Sequence, residues 1–330
     1  MTLNLDGLIP ATVLPMTEGG VIDEAALRRY IAWIAPQGPV ALAINADTGE
    51  GPHLTHQEKC RVIEVVAEET DLPIIAGVAG PFQAQAVQQA RDYQSAGASA
   101  LLVFPISAYL SMPLDPRIPV NYHRAIAEVG LPMIAFQLQP MLGGVNFDPE
   151  TLRQLIEIDG VVAMKEASFD ARRYLDTFRM VEQTPKYQAG EFTYLTGNDN
   201  FILESFMLGC TGALIGFGAI MVREQADMIT AWREGRIDEA RELGRRVQRL
   251  ADVVFDAPVA NYRVRLKESL HLLGVPGLEH TAVRPPLIGL DDDEKRRLAD
   301  VLVEVGLLEA RAPATRRPSP AATAGRWSNV

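Results

Sequence analysis

The run Val161-Val162-Ala163-Met164-Lys165-Glu166-Ala167-Ser168 places an amine at the end of a short apolar segment. Such a run reads as a buried strand, and a lysine at its C-terminal tip loses hydration. Desolvation disfavours the ammonium form, which frees the amine to attack a carbonyl near neutral pH. Taken alone, the run also fits a lysine whose stem lies along the strand end while its ammonium reaches solvent. A second stretch, Asn45-Ala46-Asp47-Thr48-Gly49-Glu50-Gly51, is a turn in which the Thr48 hydroxyl and neighbouring backbone N–H groups converge. It suits a carboxylate, although Asn45 and Asp47 are equally the residues that shape such turns. In Thr196-Gly197-Asn198-Asp199-Asn200 the glycine lets backbone approach a ligand, while Asp199 is expected to cap the next helix. The small residues of Gly212-Ala213-Leu214-Ile215-Gly216-Phe217-Gly218 leave room for a ligand or serve tight packing.

These stretches follow short apolar runs that alternate with longer amphipathic ones, the pattern of βαβ units and a parallel sheet. Strands are predicted at 8–12, 40–44, 74–78, 100–104, 133–137, 161–165, 193–196 and 213–216. Helices are predicted at 24–35, 57–69, 84–96, 120–129, 149–158, 171–181 and 201–208. Start signals are Asp23, the pair Thr55 and Glu58, and Asp148 before Pro149, whereas Gly97 and Gly130 mark stops. Eight units imply an α/β fold, a (β/α)8 TIM barrel whose chemistry sits on the loops after the strands. A doubly wound sheet is the alternative, but no Gly-x-Gly-x-x-Gly opens a helix after the first strand. After Ile220 only helices are predicted, at 223–232, 238–255, 261–273 and 291–305. The expected organisation is a catalytic barrel over 1–222, a C-terminal helical appendage over 223–309 and a disordered Pro-, Ala- and Arg-rich tail over 310–330. Within the appendage, Val283-Arg284-Pro285-Pro286-Leu287 reads as an extended, rigid linker.

With 330 residues and 48% hydrophobic content, the chain can bury a large core. Its formal net charge of -11 argues against a nucleic-acid surface and for a small-molecule partner. The two cysteines, Cys60 and Cys210, form no disulfide framework and no metal-ligand spacing, which fits a reducing cytoplasm. Met1-Thr2-Leu3-Asn4-Leu5-Asp6 lacks the features of a signal peptide, and no segment has the length of a membrane span. A soluble, cytoplasmic, unprocessed chain is therefore expected, with neither membrane nor nucleic acid as partner.

The loops ending in Thr48-Gly49-Glu50, Lys165-Glu166-Ala167-Ser168 and Gly197-Asn198-Asp199 jointly resemble the family of dihydrodipicolinate synthase and N-acetylneuraminate lyase, the pyruvate-type class I aldolases, from about Leu8 to Leu307. The resemblance implies that Lys165 forms an imine with a 2-oxo acid such as pyruvate. Thr48, Gly49 and neighbouring amides would hold its carboxylate, with Phe136, Gly197 and Leu214 around the imine. A lyase is expected, acting as an aldolase, hydratase-aldolase or dehydratase. No metal or organic cofactor is expected, because the protonated imine is itself the electron sink. The family also implies a homodimer or homotetramer.

The departures are specific. Phe136 stands where the family places a proton-shuttling tyrosine, and a phenyl ring carries no proton. Gln137, Gln139 and Met141 occupy the neighbourhood of the synthase's carboxylate-binding arginine, and Phe104-Pro105-Ile106-Ser107 replaces its tyrosine pair. These changes disfavour dihydrodipicolinate synthase proper. A non-catalytic 2-oxo-acid binder is the competing reading. Asp47 replaces the usual threonine or serine before Thr48, and burial against Phe136 and Ile106 would make it the second catalytic group. As the alternative, Asp47 turns away and caps its loop. His53 and Tyr109 are weaker candidates on nearby loops.

Overall fold

The computed structural model describes residues 3–110 and 113–309. Strands β1 (Leu8–Pro10), β2 (Leu42–Ile44), β3 (Ile74–Val78), β4 (Ala100–Val103), β5 (Met133–Leu138), β6 (Val161–Ala167), β7 (Thr193–Thr196) and β8 (Gly212–Ile215) are rich in Ile, Leu, Val and Ala and nearly all buried. Continuous apolar runs of this kind suit strands covered on both faces. The strands pair in parallel in the order β1-β8-β7-β6-β5-β4-β3-β2. A parallel bridge between Ala11 and Ala43, with the Val40 amide donating to the Leu8 carbonyl at 2.9 Å, brings β1 against β2 and closes the barrel.

Between the strands lie α1 (Glu24–Ile34), α2 (His56–Glu69), α3 (Gln83–Ala96), α4 (Arg117–Ala127), α5 (Pro149–Ile156), α6 (Ala171–Val181), α7 (Pro185–Gln188) and α8 (Ile202–Met207). Their starts follow the local chemistry. Asp23 accepts from the Ala26 amide, Thr55 and Glu58 form a reciprocal capping box, and Asp148 accepts from the Glu150 and Thr151 amides ahead of α5. The single-turn α7 is too short to show helical periodicity, and the sequence gives no sign of it beyond Pro185 at its first position.

The core has two parts, one inside the barrel around Ile9, Ile75, Ile134, Phe136, Leu195 and Leu214, the other between sheet and helices. Following β8 come α9 (Val222–Arg233), α10 (Ile237–Val254), α11 (Tyr262–Leu272) and α12 (Asp292–Glu304). Helix α11 has almost no apolar face of its own, yet nearly all of it is buried. Its attachment is polar. The Lys267 amine donates to Glu50 Oε1 at 2.5 Å and to the Ala282 carbonyl at 2.7 Å, and the Arg284 amide donates to Glu50 Oε2 at 2.8 Å. Both Lys267 and Glu50 are 0% exposed, so the loop after β2 and the C-terminal helices are joined by a buried ion pair.

The segment 283–287 is not the extended linker predicted. It turns, with the Leu287 amide donating to the Arg284 carbonyl at 3.1 Å. Anchoring explains this: the Arg284 guanidinium is held by Glu58 and by the His53 and Gly20 carbonyls, which fixes the segment on the barrel mouth. The tail expected from 310 onward lies outside the described residues.

Candidate active site

Strand β6 carries Lys165 between Phe136 of β5 and Leu195 of β7, which are its register partners. The strand runs two residues beyond the lysine, so Lys165 lies just inside the barrel mouth. The residue is 8% exposed, with Nζ 4.2 Å from the centroid of the Phe136 ring. Phe104 packs edge-on against Phe136, with centroids 5.0 Å apart. Among the described residues, no hydrogen bond to Lys165 Nζ is formed. Burial lowers the pKa of the amine to about 8, against the opposing pull of the Asp199 and Asp47 carboxylates. Gly197 makes room for this side chain. A Cβ there would lie 2.5 Å from Lys165 Cε and 2.8 Å from Ala167 Cβ, so a glycine is required by close approach.

A small pocket, partly open to solvent, lies above the amine. Asp47, Thr48, Phe136, Lys165 and Gly197 all line it. Gly49 is buried behind Thr48, facing the Thr12 carbonyl. Leu214 belongs to the barrel interior and is fully buried there, outside the pocket wall. Among the described residues, the Thr48 and Gly49 amides donate to no protein acceptor, whereas those of Glu50 and Gly51 are taken by Asp47 and Ala46. His53 and Tyr109 are not in the wall. Tyr109 is buried against Tyr122 and Phe147, and burial pushes its phenol up.

The surroundings of Asp47 differ from the expected Phe136 and Ile106 cage. Its carboxylate accepts from the Tyr262 hydroxyl at 2.9 Å and pairs with the Arg263 guanidinium, whose Nε donates to the Asp47 carbonyl at 2.8 Å. Ile106 does not reach the pocket. Tyr262 and Arg263 open α11, more than two hundred residues along the chain, and no local motif marks them. The Tyr262 hydroxyl also lies 3.4 Å from Thr48 Oγ1. Its ring stacks on Phe255 with centroids 4.8 Å apart, and burial followed by the Asp47 charge raises its pKa well above the ordinary value.

Asp199 was expected to cap the next helix, and it does not. Helix α8 has Phe201 at its N-cap and no side-chain cap, and the Asp199 carboxylate instead accepts from the Phe217 amide at 2.8 Å and lines the pocket. Burial raises its pKa to about 7, against the Phe217 amide and the Lys165 charge, which favour the anion. The loop after β7 therefore folds back onto the loop after β8, a long-range choice that a capping rule does not contain.

Behind the pocket lies a second polar cluster. Glu166, next to Lys165 and so on the other face of β6, is fully buried. It accepts from Gln137 Nε2 at 3.1 Å, the Ser168 amide at 3.0 Å and Asn198 Nδ2 at 2.8 Å. Asn198 Oδ1 accepts from the Phe169 amide at 2.6 Å, and Gln137 Oε1 from the Phe147 amide at 3.0 Å. The loops after β5, β6 and β7 are thus tied together beneath Lys165.

Comparison with known proteins gives the family. The profile described as the dihydrodipicolinate synthetase family matches residues 4–305. A 4-hydroxy-tetrahydrodipicolinate synthase of Methanothrix thermoacetophila is 27% identical over 299 residues, covering 91% of this chain and 96% of its own. That of Archaeoglobus fulgidus is 28% identical over 303 residues, covering 92% and 99%. The solved dihydrodipicolinate synthase of Acinetobacter baumannii, complexed with pyruvate, superposes with a TM-score of 0.80 at 24% identity, covering 92% of this chain and all of that one. A barrel with a buried amine among the last residues of β6, matched by the family profile over residues 4–305, belongs to the dihydrodipicolinate synthetase family.

Proposed function

We propose that this protein is a class I lyase that forms an imine between Lys165 and a 2-oxo acid such as pyruvate and makes or breaks a bond at the adjacent carbon. The observation that carries the reading is the Lys165 amine itself: buried, held below the usual lysine range and open to a small pocket. The Thr48 hydroxyl and the unused Thr48 and Gly49 amides are suited to the substrate carboxylate. The Lys165 amine attacks the 2-oxo carbon, water leaves, and the resulting iminium draws electrons from the bond to C3.

Proton transfer is assigned to Tyr262 together with Asp47. Phe136 has no hydroxyl, and Asp47, paired with Arg263, serves as an acceptor. The Tyr262 hydroxyl can donate to Asp47 and accept from Thr48, a chain that reaches the carboxylate end of the substrate. Asp199, with a pKa raised to about 7, is a second proton store beside the amine. Pyruvate in deuterated buffer tests the assignment. Proton NMR should show enzyme-dependent exchange of the methyl protons, abolished by Lys165→Met and retained without any added metal. Loss of exchange in the parent protein with trapped imine intact would favour the second reading, a 2-oxo-acid binder without turnover, for which the phenyl ring of Phe136 is the supporting feature.

The proposal extends to a homo-oligomer of two or four chains in the cytoplasm. Phe82, Leu110 and Ile118, exposed apolar side chains near the starts of α3 and α4, offer contact surface, and the free Cys60 and Cys210 fit a reducing compartment. No helix among the described residues is long and apolar enough to cross a membrane.

A further inference from the structure

Resting on the imine reading, we infer that the second reactant, the one joined to or released from the 2-oxo acid, is an apolar aldehyde without a carboxylate, best an aryl or branched alkyl one. The pocket is chemically divided. Of its polar lining residues Lys165, Thr48, Asp199 and Tyr262 are buried and Asp47 is half-buried, whereas the apolar Phe104, Leu138, Leu142, Phe169 and Phe255 are all partly exposed and form its outer wall. Among the described residues lining it, Lys165 alone is cationic, and that amine is consumed by the imine. The guanidinium beside Asp47, on Arg263, is already spent on the Asp47 carboxylate, the Asp47 and Ala260 carbonyls and the face of Tyr262. A carboxylate on the second reactant would leave water for an apolar wall with no counter-charge, whereas a phenyl or isobutyl group would gain by the same transfer.

The wall is built, not incidental. Phe169 has φ +60°, a conformation L side chains rarely adopt, and it is held there on both sides: its amide donates to Asn198 Oδ1 at 2.6 Å and its carbonyl accepts from Asn200 Nδ2 at 3.3 Å. Strain of this kind persists only where surrounding contacts over-determine it, and here its result is an aromatic ring on the pocket. Leu138 and Leu142 come from the end of β5 and the turn after it, where Gln137 is withdrawn into the Glu166 cluster and so offers the pocket no polar group.

In the addition direction the Lys165 iminium gives up a C3 proton to the Asp47–Tyr262 pair and becomes the enamine; the enamine carbon then forms a carbon–carbon bond to the aldehyde carbon as the carbonyl π bond breaks, and the aldehyde oxygen takes that proton back from the Tyr262 hydroxyl. Water then releases the 4-hydroxy-2-oxo acid and restores the amine. The reaction is redox-neutral and needs no further reactant.

The test uses the full chain with pyruvate and, in parallel, benzaldehyde, isovaleraldehyde and succinic semialdehyde, with product followed by mass spectrometry and the borohydride-trapped pyruvate adduct measured on the same sample. Expected is a kcat/KM at least about tenfold higher for the two apolar aldehydes, since burying or failing to pair a group discriminates on that scale. Leu138→Arg should move the ratio toward succinic semialdehyde, and Phe169→Gly, which relieves the backbone, should raise KM for benzaldehyde while leaving kcat less affected. If the adduct forms but succinic semialdehyde is preferred, or neither apolar aldehyde reacts, the assignment is overturned and the imine reading stands. If no adduct forms, the imine reading falls and the assignment falls with it.

Discussion

At the scale of single residues, the proposed chemistry depends on how cheaply Lys165 gives up its proton. With a pKa of about 8, roughly a tenth of the molecules carry a free amine at pH 7, against about one in a few thousand for an exposed lysine. Imine formation should therefore rise with pH, inflect near 8 and level off above it, as followed by the rate of borohydride trapping. Because the Asp199 anion favours the ammonium, Asp199→Asn should shift that inflection to lower pH, and a shift upward would show that Asp199 does not face the amine. Tyr262→Phe should slow pyruvate methyl exchange on the order of a hundred- to ten-thousand-fold while the trapped adduct still accumulates. Asp47→Asn should do the same, and unchanged exchange in both variants would remove the relay. Gly197→Ala drives a methyl group against Lys165 Cε, and a displacement of that order is expected to cost about a hundredfold in imine formation.

Elements decide what the residues can reach. Strand ends and helix starts were legible from local pattern, because hydrophobic period and capping chemistry act within a few residues: β3, β7 and α6 have their predicted limits, and Asp23, Thr55 and Asp148 cap as read. That Lys165, the Thr48 loop and Gly197 lie close together was legible for the same reason, each lying in or just after a recognisable strand. Tyr262, Arg263 and the role of Asp199 were not, since each depends on contacts between segments far apart in the chain. The same holds for 283–287, where prolines suggest extension but Glu58 captures Arg284. That capture has a pH signature. Hydrogen bonds from the Arg284 guanidinium hold the Glu58 carboxyl down to about 2 from an ordinary 4.5. A depressed carboxylate contributes its stability above the ordinary value and loses it as pH falls through the depressed one. The stability difference between parent and Glu58→Gln should thus be full above pH 4.5 and close between 4.5 and about 2 in denaturant titrations; a gap that persists at pH 2 would show the contact to be unlinked to Glu58 ionisation.

For the molecule as a whole, the C-terminal helices help build the candidate site, since α11 brings Tyr262 and Arg263 against Asp47 and Lys267 locks α11 to Glu50. Burial lowers the Lys267 pKa against the favourable Glu50 charge, so the amine depends on its partner. Lys267→Met leaves the buried Glu50 unpaired and is expected to cost about 3–5 kcal/mol by chemical denaturation, and to reduce methyl exchange by loosening Tyr262. A loss within a few tenths of a kcal/mol would show that the pair is dispensable. Sedimentation at micromolar concentration should show two or four chains, and a monomer would exclude the proposed assembly. The most direct measurement is the site of the covalent intermediate. Pyruvate and borohydride should leave one adduct per chain, and peptide mass spectrometry should place it on Lys165. An adduct on Lys267 or Lys186, or none with any 2-oxo acid tried, would contradict the imine at the end of β6.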